Sequence, residues 1–244
     1  MGIVLKGENL IKDYGKKHVV KGVSFQVEQG EIIGLLGPNG AGKTTSFYMI
    51  VGLVSATQGK VSLNNLDITK DPMYKRAQKG IGYLAQEASI FRKLSVEDNI
   101  KSVLQFTKYS KKEQQLKVDA LIEEFSLEHV RHNRGDLLSG GERRRCEIAR
   151  CLATEPNFIL LDEPFAGVDP IAVEDIQKIV RSLKDKNIGI LITDHNVSQT
   201  LAITDKTYIM FEGKILKEGS PEQLANDPDV RRVYLGENFT YQQI

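Results

Sequence analysis

Glu31-Ile-Ile-Gly-Leu-Leu-Gly37-Pro-Asn-Gly-Ala-Gly-Lys43-Thr44 is the stretch that decides the fold. An apolar run ends in Gly37, Pro38, Asn39 and Gly40, and a helix is expected to start near Gly42. That is a buried strand, a glycine loop and a helix in succession. From Gly37 through Ala41 and Gly42 to Lys43 and Thr44, every fixed position of G-x-x-x-x-G-K-[ST] is filled. The glycines let backbone N–H groups turn inward as an anion nest, and the helix adds the positive end of its dipole. Lys43 has the reach for β- and γ-phosphates, and the Thr44 hydroxyl suits Mg²⁺.

Outward from the loop, a second strand pattern ends in acids. Phe158-Ile-Leu-Leu161 is followed by Asp162, Glu163 and Pro164. In open α/β sheets ligands sit at the carboxyl ends of strands, where this strand delivers both carboxylates. Asp162 is expected to hold Mg²⁺ through water, and Glu163 to polarise the water that attacks the γ-phosphate.

Between these two motifs stands Leu138-Ser-Gly-Gly-Glu142. Five specified residues arise by chance on the order of once per million positions. Ser139, Gly140 and Gly141 precede a helical stretch, offering a hydroxyl, two unobstructed N–H groups and a helix dipole. By themselves these residues describe either a helix cap or a second phosphate site.

Loop, signature and acidic strand, in this order, resemble the ATP-binding-cassette ATPases. The resemblance implies a head-to-tail homodimer in which each signature closes over the partner's ATP, giving two composite sites at one two-fold interface. It also implies roles for other matching positions. Tyr14 resembles the aromatic that stacks on adenine, and Thr45 continues the phosphate loop. Gln86 resembles the glutamine that meets Mg²⁺ and senses the transport subunit. Asp169, in Gly167-Val-Asp169, resembles the loop that crosses the dimer, and His195 the switch histidine at the γ-phosphate. Catalytic duties thus fall to Glu163, His195 and Gln86, and metal contacts to Thr44, Gln86 and Asp162. ATP and Mg²⁺ are the expected cofactors.

Gly82 to Arg92, Leu161 to Pro170, Ile192 to Val197 and the ending Arg231 to Glu237 sharpen the resemblance. They are similar to the ATP-binding subunits of lipopolysaccharide exporters, which serve two transmembrane permease subunits at the bacterial inner membrane. The match departs at Ala85, where proline is expected; this bears on the local turn and not on the chemistry. The ATPase subunits of branched-chain amino acid importers share much of the same wording, including a similar Tyr-Leu-Gly-Glu ending, and stand as the alternative. A non-transport cassette of translation or repair is a further option, but the chain has neither a second cassette nor long coiled coils. A plain P-loop kinase or GTPase leaves the signature and His195 unexplained. Phe91 and Arg92, just after Gln86, are expected to line the groove that receives a permease helix, an aromatic and a guanidinium being typical anchors. The alternative is that Phe91 packs beneath a helical insert.

Composition adds exclusions. The 244 residues carry a formal net charge of +1, which gives no electrostatic case for nucleic acid. No apolar run reaches about 18 residues and no leader pattern is seen, so the expectation is a protein of the cytoplasm that meets the cytoplasmic face of the inner membrane through its partners. Cys146 and Cys151, five apart on one helix, face differently and predict no disulfide. Arg143, Arg144 and Arg145 are expected on a solvated surface.

The fold class expected is α/β: a P-loop NTPase core, a mixed sheet with flanking helices, plus an antiparallel β subdomain and an inserted α-helical subdomain. Short β-type runs at Ile3 to Leu5 and Val23 to Val27 suggest the antiparallel sheet. Helical periodicity over Val96 to Lys108 and Lys111 to Phe125, with Ser95 and Asp98 as a cap, marks the insert. The core then divides as 1–94 and 152–244 around a helical 95–151. For the tail from Asp227, the sequence leaves open whether it covers the core or packs on the neighbouring copy.

Overall fold

A computed structural model describes residues 2–240. The chain opens with β1 (Val4–Tyr14), β2 (Lys17–Glu28) and β3 (Ile32–Leu36), then α1 (Lys43–Val51), β4 (Gln58–Leu63), β5 (Leu66–Asp67), α2 (Met73–Gln78) and β6 (Ile81–Leu84). Three helices follow: α3 (Val96–Leu104), α4 (Lys111–Glu124) and α5 (Gly140–Leu152). The chain returns through β7 (Phe158–Asp162), α6 (Pro170–Asp185), β8 (Gly189–Thr193), α7 (Val197–Leu201), β9 (Lys206–Phe211) and β10 (Lys214–Gly219). The short α8 (Pro221–Ala225) and α9 (Pro228–Val230) close it, with a wide helical turn over Arg231–Leu235.

Two sheets result. One has the order β2-β1-β4-β5, and the other β10-β9-β3-β8-β7-β6. The first is antiparallel; the second is parallel except for its edge strand β10. The chain is thus α/β, as its sequence leads one to expect. β1 and β2 run much longer than their apolar patches, because register shifts after Gly7 let charged residues stay exposed while the pairing continues.

Strand alternation divides the core. Leu160 and Leu191 face one side of the parallel sheet, where they pack with α1 and the antiparallel sheet. Ile159, Leu161, Ile190 and Ile192 face the other, and pack with Val96, Ile100 and Leu104 of α3 and Val118 and Ile122 of α4. The three central strands β3, β7 and β8 are buried at every residue, which is why their sequences read as unbroken apolar runs. Ser95 caps α3 by accepting from the Asp98 N–H at 3.0 Å. The tail covers the core: Val230 is fully buried with Leu36, Leu201, Ile209 and Leu224, and Tyr234, Leu235 and Phe239 pack against them.

Candidate functional site

The strand-to-helix turn needs its glycines. Gly37 has φ of +148°, and a Cβ there would lie 2.1 Å from the Met210 carbonyl oxygen. Gly42, at φ +94°, is the residue before α1 and would meet the Val19 carbonyl oxygen at 2.8 Å. The loop is therefore wedged against β9 and the β2 edge, with its N–H groups free to turn inward. Lys43 donates to the carbonyls of Gly37 (2.6 Å) and Pro38 (3.0 Å). An ammonium has three donors, so one remains for a phosphate oxygen. Burial pulls the Lys43 pKa down, and the nearby Glu163 carboxylate opposes that.

A cleft of about 580 Å³ joins Gly40, Lys43, Thr44 and Thr45 to Glu163 and His195. At its centre is the Glu163 carboxylate: Oε2 accepts from Gln86 Nε2 at 2.7 Å and lies 3.3 Å from His195 Nδ1. Glu163 sits at φ +44° in the left-handed region, its N–H donating to the Thr193 carbonyl at 2.7 Å. Asp162, the last residue of β7, is 2% exposed. Burial pushes its carboxyl upward, against the hydrogen bond from the Tyr83 hydroxyl, which pulls it down.

The signature does not join this cleft. Ser139, Gly140 and Gly141 line a neighbouring one of about 460 Å³, with Gln86, Glu163 and Asp169. No residue of the phosphate loop lines it, so the two phosphate-type sites of one chain share only their border at Glu163. Ser139 caps α5 in a reciprocal box: its Oγ accepts from Glu142 N–H, and Glu142 Oε2 accepts from the Ser139 N–H at 2.8 Å and hydroxyl at 2.7 Å. These bonds hold the Glu142 carboxyl down at about 2. Nothing lies within 4 Å of a Cβ placed on Gly140, so this helix end is open. Asp169 caps α6 by accepting from the Ala172 N–H at 3.0 Å.

Tyr14 stands outside both clefts, 51% exposed at the end of β1, across the turn from Lys17. Lys17 and His18 line the phosphate cleft, and no motif announces them. Phe91 is 50% exposed and Arg92 is exposed. The Arg150 guanidinium stacks over the Phe91 ring, 4.9 Å from its centroid.

The arginines after the signature correct the sequence reading. They are not a solvated row: the Arg144 side chain is 13% exposed and donates to the Ala85 carbonyl (3.1 Å) and Glu147 (3.3 Å). Arg143 donates to the Leu138 carbonyl at 3.2 Å. Successive helical positions point about 100° apart, so the three diverge into different neighbours. Asp194 is a residue that sequence reasoning misses. Fully buried, it accepts from the N–H groups of Phe165 (2.9 Å) and Asn196 (2.7 Å), fixing the turns around Glu163 and His195. Its signal is an acid after a buried strand, as at Asp162.

A family model described as ABC transporter matches residues 20–166. The chain belongs to the ABC transporter family. A second model, of branched-chain amino acid ATP-binding cassette transporters, matches residues 218–240 of this cassette. The lipopolysaccharide export system ATP-binding protein LptB of Haemophilus influenzae is 57% identical over 97% of this chain and 98% of its own length. Among solved structures, an ATP-binding cassette of an ABC transporter crystallised in its ADP conformation superposes with a TM-score of 0.85 at 31% identity, covering 97% of this chain and all of that one. A dimeric bacterial ABC transporter cassette gives 0.76 at 25% identity, over 89% and 98%. This cassette is an ATPase, and among its described residues no helix is long and apolar enough to cross a membrane.

Proposed function

We propose that this cassette works as a homodimer beneath two transmembrane subunits on the cytoplasmic face of the inner membrane, where its ATP cycle drives lipopolysaccharide out of that membrane toward the outer one. The near-full-length likeness to LptB carries the choice of cargo. The carboxylate of Glu163, held between Gln86 and His195 at the mouth of the phosphate loop, carries the chemistry.

In this reading Tyr14 stacks on adenine, and residues 37–45 wrap the phosphates with Lys43 at the β- and γ-positions. The donor set suits Mg²⁺. Thr44 and Asp162 offer hard oxygens, Gln86 an amide, and the described residues contain no cluster of three acids, histidines or cysteines that would cage an ion alone. Mg²⁺ is commonly held by one or two protein groups with substrate phosphates completing its shell. When bound, it neutralises charge on the transferred phosphoryl group. Glu163 takes the proton of the attacking water, His195 contacts the γ-phosphate, and Gln86 orients Glu163 and senses the permease. Ser139, Gly140 and Gly141 of the second copy close over the same ATP, with Asp169 at the crossing. The separation of signature and phosphate loop into two clefts supports this division between copies. Phe91 and Arg92 face the permease helix.

The tail match over residues 218–240 favours a second reading, the ATPase of a branched-chain amino acid importer. Pull-down of the chain from its native membranes, with mass spectrometry of what accompanies it, decides between them. Two export-type transmembrane subunits with bound lipopolysaccharide are expected. Amino-acid permeases would move the chain to the importer, and the absence of any membrane protein would remove the transport role.

A further inference from the structure

We propose that Tyr83 is a positioning residue that aims the Asp162 carboxylate. The Tyr83 hydroxyl donates to Asp162 Oδ2 at 3.2 Å across 79 residues of sequence. Register explains the meeting. β6 and β7 run parallel with Tyr83 opposite Leu160, and Asp162 follows two residues later on the same face. Tyr48 lies on α1, one turn after Thr44, and so on the Thr44 side of that helix.

Both rings are fixed from below. The fully buried Phe47 ring lies 6.3 Å from each of them, and both tyrosines pack on the core that contains Leu160 and Leu191. Packing alone would be served equally by phenylalanine. The Tyr83 hydroxyl is what differs, and it ends at a carboxylate that is almost wholly out of water. A buried carboxylate needs donors to stay in one orientation. Here the donor comes from β6, the strand that leads three residues beyond Tyr83 to Gln86. The bond thus ties β6 to β7, whose last residue is Asp162.

The proposal rests on Asp162 as a Mg²⁺ residue, and the test separates the two. Mn²⁺ is the probe: its free concentration is read by electron paramagnetic resonance against the ADP-loaded full chain, for wild type, Tyr83→Phe and Asp162→Asn. ADP binding in EDTA is measured in parallel by calorimetry. Tyr83→Phe is expected to weaken Mn²⁺ about three- to tenfold, the loss of one hydrogen bond, with ADP affinity in EDTA unchanged. Wild-type Mn²⁺ affinity in Tyr83→Phe, with Asp162→Asn weakened, overturns the positioning role and leaves Asp162 its metal. Wild-type affinity in Asp162→Asn overturns both. A Tyr83→Phe chain that loses ADP in EDTA as well would show the hydroxyl supporting the whole pocket, and also overturns the proposal.

Discussion

Glu163 combines a strained backbone with a doubly engaged side chain. Left-handed φ costs a residue with a Cβ roughly 1–2 kcal/mol, and the bond from its N–H to Thr193 holds it there. The turn swings the carboxylate off the strand line and between Gln86 and His195. Glu163→Gln keeps the shape but removes the proposed base. It is expected to bind ATP as wild type does and to cut turnover by roughly 10²-fold or more, checked by phosphate release beside nucleotide titration. Full turnover would remove Glu163 from the chemistry. Gly37 is constrained by space instead. Gly37→Ala would drive a methyl into the Met210 carbonyl, so ADP affinity is expected to fall at least about tenfold along with the melting temperature. An unaltered calorimetric titration would show that the loop yields more easily than its contacts suggest.

At the scale of elements, α5 carries both the signature and a ladder of side chains that grips the segment after β6. Arg144 holds the Ala85 carbonyl, Glu147 accepts from the N–H groups of Ser89 and Ile90, and Arg150 donates to the Ser89 carbonyl at 3.0 Å. Spaced three residues apart, they occupy one side of the helix. Glu147→Ala leaves two N–H groups unpaired, each worth about 1–3 kcal/mol when buried. The Ser89 and Ile90 amides are expected to exchange hydrogen markedly faster in that variant while β7 and β8 stay protected; uniform protection would dismiss the ladder.

The α3 end of the insert has a pH signature. Arg131 donates to Glu97 at 2.9 and 3.0 Å, and these bonds, with one from Gln115, bring the Glu97 carboxyl from its ordinary 4.5 to about 2. A carboxyl held low stabilises the fold fully above its unfolded value, and that stability is lost as pH falls through the folded one. The gap in urea midpoint between wild type and Glu97→Gln is therefore expected to be widest above about pH 4.5 and to close toward pH 2. A gap that does not vary with pH would mean the pair contributes through packing alone.

For the whole molecule, the signature and the phosphate loop line two clefts that share Glu163. The proposed pairing sets the signature of one copy over the phosphate loop of the other, and two-fold symmetry satisfies both copies at once. In the Glu163→Gln background, ATP is expected to shift the chain from monomer to dimer in light scattering. Adding Ser139→Arg should abolish the shift while each monomer still binds ATP. A dimer that persists with the Ser139→Arg substitution in both copies would place the interface elsewhere.

What the sequence determined by itself is what lies close together along the chain. Gly37 to Thr44, Asp162 with Glu163, and Ser139 to Gly141 are each short runs whose spacing and flanking pattern fix local geometry, so the α/β class and the candidate residues were legible there. The edge strand β10 was not, because Lys214–Gly219 has no buried apolar run to mark it. Tertiary structure alone decided the rest. Glu163 meets Gln86 across 77 residues, Tyr83 meets Asp162 across 79, and Arg144 turns inward because the Ala85 carbonyl and Glu147 are waiting there. Such contacts depend on strand register and on how an inserted helix packs against the sheet, and neither is written in any local stretch of residues.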